Sequence, residues 1–357
     1  MKNDNIHTLT LEAVSLLQDL IRTPRTSREE HKAASILEQW VQAKGLEYKR
    51  IGNNIIVFPD NFDASVPVVM LNAHIDTVRP VASWQRNPYE PTLEADTLYG
   101  IGSNDCGGGL VALLQAFRTC GRRDVVFVAS CEEEVSGEGG IRMVIEHWDE
   151  LLPGVKVDVA VVGEPTGLQP AVAERGLMVI DMTAHGKAGH AARQEGVNAI
   201  YEALGDMQWI HDYEFPKVSS LLGPTRMNLT MINSGTQHNV VPDECRMVID
   251  VRTNELYSNE EVFRFIDENT RSECKARSFR LGSSCLPEQH PYYQRLISLG
   301  LVPFGSPTLS DQALMPWPSF KLGPGESSRS HSADEYIRIS EIEAAIKLYV
   351  DLLETTK

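Results

Sequence analysis

The strongest constraint in the sequence is a repeated unit. His74, Asp105, Glu134 and Glu164 follow one another at intervals of roughly thirty residues, the length of one strand-plus-helix unit. Short apolar runs over 54–58, 68–71, 124–129 and 158–162 read as strands, and 107–118 and 139–150 read as helices between them. Amphipathic helices over 9–21 and 29–44 precede the series, the second stopping at Gly45. Strands alternating with helices predict an α/β fold with a mostly parallel sheet and helices on both faces. Ligands of such a sheet collect at the C-terminal ends of its strands, so all four residues are expected there.

After residue 175 the pattern changes. The stretch 177–184 alternates, 196–211 is helical, 227–232 and 245–251 are strand-like, 260–269 is helical and 274–280 is strand-like. That order, βαββαβ, is the ferredoxin-like arrangement. The expected organisation is therefore a first domain over 1–174, an inserted domain over 175–284, and a return to the first domain over 285–357, closed by a helix over 340–353. An antiparallel domain of this kind leaves a sheet edge open, and pairing across a two-fold axis covers it, so a homodimer is expected.

Composition removes several classes of function. The 357 residues hold 33 Lys and Arg against 49 Asp and Glu, a net charge of −16, with no basic cluster to follow a phosphate backbone, so nucleic acid is not expected as a partner. No apolar stretch approaches the roughly eighteen residues needed to cross a bilayer, and the opening MKNDNIHTLT has no apolar leader core. No membrane association and a cytoplasmic location are the expectations. The six cysteines show no CxxC pair, which fits reduced thiols, and no zinc is assigned to them.

The residues that carry chemistry lie at the ends of the runs. In Leu71–Asp76 an extended chain puts His74 and Asp76 on one face, so that the histidine can bind a metal through one ring nitrogen while Asp76 holds the other. The segment Gly100-Ile101-Gly102-Ser103-Asn104-Asp105 mimics a dinucleotide loop, but Asp105 replaces the third glycine, no strand directly precedes it and no acidic ribose ligand is placed. A nucleotide reading is set aside, and Asp105 is better suited to a cation. Glu132, Glu133 and Glu134 crowd three carboxylates at a strand end, a repulsion that divalent ions relieve. Glu164 follows another apolar strand, and His331 follows a glycine turn. Two histidines and three carboxylates suffice for two zinc-like ions if Asp105 bridges them.

His-x-Asp, Gly-x-x-Asp, the acidic triplet, Gly163-Glu164-Pro165-Thr166 and Ser330-His331-x-x-x-Glu335 together resemble the co-catalytic zinc amidohydrolases, the family of acetylornithine deacetylase, succinyl-diaminopimelate desuccinylase and glutamate carboxypeptidase. The resemblance runs along nearly the whole chain. It includes Gly186–His190, Gly196–Ala199, Asn239–Pro242 and Asp250–Arg252 of the inserted domain. It implies one zinc on His74, Asp105 and Glu164 and a second on Asp105, Glu134 and His331, with cobalt able to substitute. It also implies Asp76 behind His74, Glu133 as general acid and base, His190 as an oxyanion donor reaching the site of a neighbouring subunit, and Asn239 and Arg252 on the substrate's α-carboxylate. The family usually reads Asp-Glu-Glu where this chain has Glu132-Glu133-Glu134, so a slip of one residue would make Glu132 the base and Glu133 the ligand. The distance from Glu134 to the downstream glycines favours the register without the slip.

The implied reaction is zinc-dependent hydrolysis of the amide bond of a small N-acyl amino acid such as N-acetylornithine, N-acetylcitrulline or N-succinylornithine, as in arginine biosynthesis. Succinyl-diaminopimelate desuccinylation and dipeptidase or carboxypeptidase activity are the alternatives. A metal-dependent binding protein without turnover would have little use for Glu133. Ser327, Ser328 and Arg329 are candidates for lining the pocket, Arg329 suiting a second carboxylate such as a succinyl group's.

Overall fold

The computed structural model describes residues 3–193 and 195–354. The chain divides into two compact units, one of residues 1–172, 286–304 and 310–357 and the other of residues 173–285 and 305–309.

The larger unit is organised around Val68–His74, seven residues that are all buried. This strand lies between Val125–Ser130 and Val157–Val162, pairing in parallel with both, and Ser319–Lys321 extends the parallel set beyond Val157–Val162. Strands buried on both faces read as continuous apolar runs, which is why these stand out in the sequence. Asn54–Phe58 adds antiparallel to Val125–Ser130, and Glu47–Ile51 forms an outer antiparallel hairpin with it. One face of the sheet carries Met70, Val126, Val128, Ala160 and Val162 against Ile141, Val144, Trp148 and Leu151. Helices Asn3–Ile21, Gly108–Thr119 and Ile339–Leu353 pack against one another. Gly108–Thr119 is buried along its first ten residues. Its start needs glycine, because a Cβ on Gly109 would collide with the carbonyl of Gly163, next to Glu164.

Three details depart from expectation. The helix over 139–150 is two helices, Ile141–Glu146 and Trp148–Leu151, broken at His147, whose φ of −104° and ψ of 13° are not helical. Strands Thr92–Glu94, Thr97–Tyr99 and Tyr336–Arg338 form a small antiparallel sheet that the sequence reading did not anticipate. Thr97–Tyr99 runs directly into Gly100, so a strand does precede the glycine loop, though not one of the parallel sheet.

The smaller unit is an antiparallel sheet in the order Arg226–Ser234, Glu244–Arg252, Met178–His185, Glu273–Ala276. Strand Met178–His185 buries every second residue through Ala184, and Met178, Ile180 and Met182 meet Met247, Ile249, Ala203 and Val262 in one core. Helix Ala199–Asp212 starts at Asn198, whose side chain accepts the Ile200 amide, and Asn259–Asn269 starts in a Ser258–Glu261 capping box. Among the described residues no helix is long and apolar enough to cross a membrane.

Candidate metal centre

His74 ends the central strand, and its ring is held on both sides. Nε2 lies 3.2 Å from Asp105 Oδ1 and 3.6 Å from Glu164 Oε1. Nδ1 lies 3.1 Å from the Asp76 carbonyl and 3.4 Å from Asp76 Oδ1. The Asp76 carboxylate is buried, which disfavours its charge, yet His74 and the Ser27 hydroxyl at 2.7 Å hold its pKa below the usual carboxylate range. It also accepts the amides of Glu133 and Glu134, at 3.1 and 3.2 Å. One carboxylate therefore fixes the His74 ring and the turn that carries the acidic triplet.

The second half of the cluster is Glu134 with His331. His331 Nε2 stands 2.8 Å from Glu134 Oε2 and 3.6 Å from Asp105 Oδ2. Contact with Glu134 pushes the His331 pKa up to about 9. The two oxygens of Asp105 thus face different histidines, Oδ1 toward His74 and Oδ2 toward His331. Asp105 does not sit at the end of a parallel strand as expected. It lies in the buried segment Ser103–Gly107, ahead of helix Gly108–Thr119.

These residues fit divalent cations. Donors bonded at about 2.0–2.1 Å in a tetrahedron lie about 3.3 Å from one another, and the separations above, 2.8 to 3.6 Å, bracket that figure. Glu164 Oε1 is buried with no hydrogen-bond donor, and burial followed by the charge of Asp105 pushes its carboxyl up to about 8. Burial, with the charges of Glu164, Asp311 and Glu134, likewise raises Glu133 well above the ordinary range, although His74 opposes it. Carboxyls that cannot all ionise together are what a bound cation would relieve. Ligand atoms of His74, Asp105 and Glu134 lie within 4.8 Å of one another.

The three members of the triplet part company. Glu132 has a left-handed φ of 53°, and its carboxylate accepts the Gly139 amide at 3.3 Å, where a side chain on Gly137 or Gly139 would strike it. Glu134 faces His331, and Glu133 lies between the two.

The structure does not group every expected residue. His190, Asn239 and Arg252 belong to the smaller unit. His190 is exposed, in a two-residue strand paired with Val240–Val241, and the Asn239 carbonyl accepts the Ala191 amide at 3.1 Å. Arg252 makes a two-pronged pair with Asp250 at 2.8 and 3.0 Å. Arg329 does the same with Glu341 at 2.8 and 3.0 Å and lies over the Tyr336 ring, so it is not free for a substrate carboxylate.

Sequence reasoning missed several neighbours of the cluster. Asp311, 3% exposed, accepts the Ser130 hydroxyl at 2.5 Å, and burial pushes its carboxyl up to about 6. Its signal was slight, an acid after a capping serine. Cys106 accepts the His74 amide at 3.2 Å through Sγ, which also lies near the ring of His74 and the carboxylate of Glu164. Burial pushes this thiol up to about 12, making it a poor ligand at neutral pH. Glu335 is buried among backbone amides, although its place in the late motif was visible.

Residues 70–355 match the family described as Peptidase family M20/M25/M40. An acetylornithine deacetylase from Proteus mirabilis is 24% identical over 380 aligned residues, 96% of each chain. A succinyl-diaminopimelate desuccinylase from Ruegeria is 26% identical over 282 residues, 73% of this chain and 70% of the relative. Among solved structures, an aminopeptidase from Bacillus cereus has a TM-score of 0.74 at 16% identity, covering 96% of this chain and 98% of that one. A dinuclear metal-binding peptidase from Bacillus subtilis has a TM-score of 0.71 at 16% identity, covering 97% and 98%. With most of its length matched, the chain belongs to peptidase family M20/M25/M40.

Proposed function

We propose that this amidohydrolase cleaves the amide bond of a small N-acyl amino acid, in the manner of acetylornithine deacetylase, with two divalent ions, zinc by expectation, shared across Asp105. The observation that carries this reading is that the two oxygens of Asp105 face two histidines, His74 at 3.2 Å and His331 at 3.6 Å. His74 and Glu164 would complete the first ion's set, and Glu134 and His331 the second's. When bound, such ions acidify a water and polarise an acyl carbonyl. Glu133 takes the water's proton during attack on the carbonyl carbon and returns it to the amine nitrogen as the C–N bond breaks. Its raised proton affinity suits both halves of that task. His74 is kept in one tautomer and orientation by Asp76.

His190 is proposed as the donor to the developing oxyanion, reaching the site of a second copy of the chain; its exposure supports this role. The edge strand Arg226–Ser234 leaves Met231 64% and Ile232 54% exposed, which supports pairing of two such edges in a homodimer. Asn239 and Arg252 are proposed for the substrate's α-carboxylate, Arg252 by exchanging Asp250 for it.

Desuccinylation of a diaminopimelate derivative is the second reading, favoured by the relatives of that name at 26% identity. The engagement of Arg329 with Glu341 removes one reason to prefer a succinyl group. The deciding experiment is a hydrolysis screen of zinc-loaded protein against acetyl and succinyl derivatives of ornithine, citrulline and diaminopimelate, with a set of dipeptides alongside. Turnover of the acetylated or succinylated ornithine or citrulline supports the first reading. Turnover confined to succinyl-diaminopimelate supports the second, and cleavage of dipeptides alone ends both.

A further inference from the structure

Asp105 sits in a loop held by two buried charges that are not metal ligands. The Gly102 amide donates to Glu335 Oε2 at 2.9 Å, and the amides of Asn104 and Asp105 both donate to Glu335 Oε1 at 2.9 Å. On the other side of the same peptide chain, Arg25 Nη2 donates to the Gly102 carbonyl at 2.9 Å. Gly102 has a φ of 67°, and a Cβ there would collide with Arg25 Nη2 and Thr77 Cγ2, so the loop is closed tightly over the guanidinium. Asp334, next to Glu335, accepts the amides of Gln85 and Arg86 at 3.2 and 3.0 Å. Asn104 bonds Ser330 Oγ at 3.2 Å, just ahead of His331. The Asp105 loop and the His331 segment are thus tied together at several points.

Arg25 and Glu335 are each 3% exposed, and Arg25 Nε and Nη1 have no hydrogen-bond partner. Burying two charges is costly, and the three amides on Glu335 and the Gly102 carbonyl on Arg25 offset only part of that cost. Closing the loop is therefore one role of this pair, and the direction it imposes on Asp105 is a second. Three amides converging on one carboxylate fix the direction in which Asp105 leaves the backbone, and a carboxylate shared by two ions tolerates little error in direction.

We infer that Glu335 and Arg25 are positioning residues that aim the shared carboxylate of Asp105 and thereby set the affinity of the two-ion site. The inference rests on the two-ion reading of the cluster. Glu335→Gln keeps the shape but turns one acceptor into an amide that faces donors, and Arg25→Lys keeps the charge but loses the fork.

The test is zinc titration of apoprotein in competition with a chromophoric chelator, with the apo melting temperature measured alongside. Glu335→Gln is expected to weaken zinc binding 10- to 100-fold, the usual cost of removing a residue behind a ligand, with a somewhat lower apo melting temperature because its amide group faces buried backbone donors. Arg25→Lys is expected to weaken it about 10-fold, the low end of that range. Cobalt-loaded Glu335→Gln should show altered d–d bands, because the geometry of Asp105 has changed. Zinc affinity within twofold of wild type in whichever variants fold overturns the inference, as does a variant that melts lower yet binds zinc normally. If wild-type protein itself fails to take up two zinc ions, the two-ion reading falls and this inference falls with it.

Discussion

The two units of the molecule handle polar residues in opposite ways. In the larger unit the central strands are buried on both faces, and the carboxylates gathered where they end outnumber the partners at hand, so that Glu164 Oε1 is left with no hydrogen-bond donor. In the smaller unit one sheet face is covered and the other open, so its candidates, His190, Asn239 and Arg252, meet solvent or a simple ion pair. The difference teaches where to look for binding energy. Groups that folding has left without partners have the most to gain from a cation, whereas groups already satisfied contribute by adjustment.

The widest gap between the units should come from metal removal. Exhaustive chelation is expected to abolish hydrolysis, with zinc or cobalt restoring it, and full activity after dialysis against chelator would break the contrast outright. Glu133→Gln should retain its metal by elemental analysis yet lose about 10² to 10⁴-fold in kcat, the range for a general acid–base group. If Glu132→Gln is the inactive variant instead, the base has been placed one residue too far along the chain.

The smaller unit's largest expected effect is from His190→Ala, a loss of about 10²- to 10³-fold in kcat for one oxyanion donor. Mixing His190→Ala with Glu133→Gln under subunit exchange should restore up to about a quarter of wild-type activity, since half the dimers are mixed and half their sites complete. No recovery despite exchange seen by mass spectrometry would remove His190 from the partner's site.

A subtler effect is expected from pH. In the apoprotein His331 holds its proton up to about 9 and Glu164 up to about 8, both above their ordinary values. The folded apoprotein therefore binds more protons than the unfolded chain, between about 6.5 and 9 for His331 and between about 4.5 and 8 for Glu164. Apo stability should fall as pH rises through those windows. Zinc must displace the same protons, so its affinity, read by calorimetry in buffers of different ionisation enthalpy, should climb from pH 6 to 9 with proton release. The smallest effect belongs to Arg329→Gln. With Glu341 already holding that side chain, KM for a succinylated substrate should change less than about threefold, as befits a residue outside the binding machinery.

Much of this was legible in the sequence because both units bury their strands in regular patterns. Continuous runs such as Val125–Ser130 and the alternation of Met178–His185 each have one structural solution. Four of the candidate residues, His74, Asp105, Glu134 and Glu164, stood out because they keep the period of the strand-plus-helix unit, whereas His331 was marked only by the late motif. Asp105 kept the period without the expected placement: it reaches the cluster from a loop, which no periodicity describes. The three-residue strands around Tyr99 are too short to show a pattern, and their partner Tyr336–Arg338 lies more than two hundred residues away. Glu335 was visible as the end of the late motif, but its three distant amide partners were not. Arg25 carried no signal at all, because nothing local says that an arginine among polar neighbours is buried.

The sharing of Asp76 has a consequence for how the centre can fail. Its oxygens are divided between the His74 ring and the amides of Glu133 and Glu134, so the proposed ion ligand and the proposed proton-transfer group hang from one fulcrum. A displacement there tilts both at once. Damage at Asp76 should therefore not resolve into a binding defect and a rate defect that can be repaired separately, and Asp76→Asn combined with Glu133→Gln should cost far less than the product of the two single losses. A centre hung this way has fewer independent ways to drift out of alignment, and fewer independent ways to be retuned.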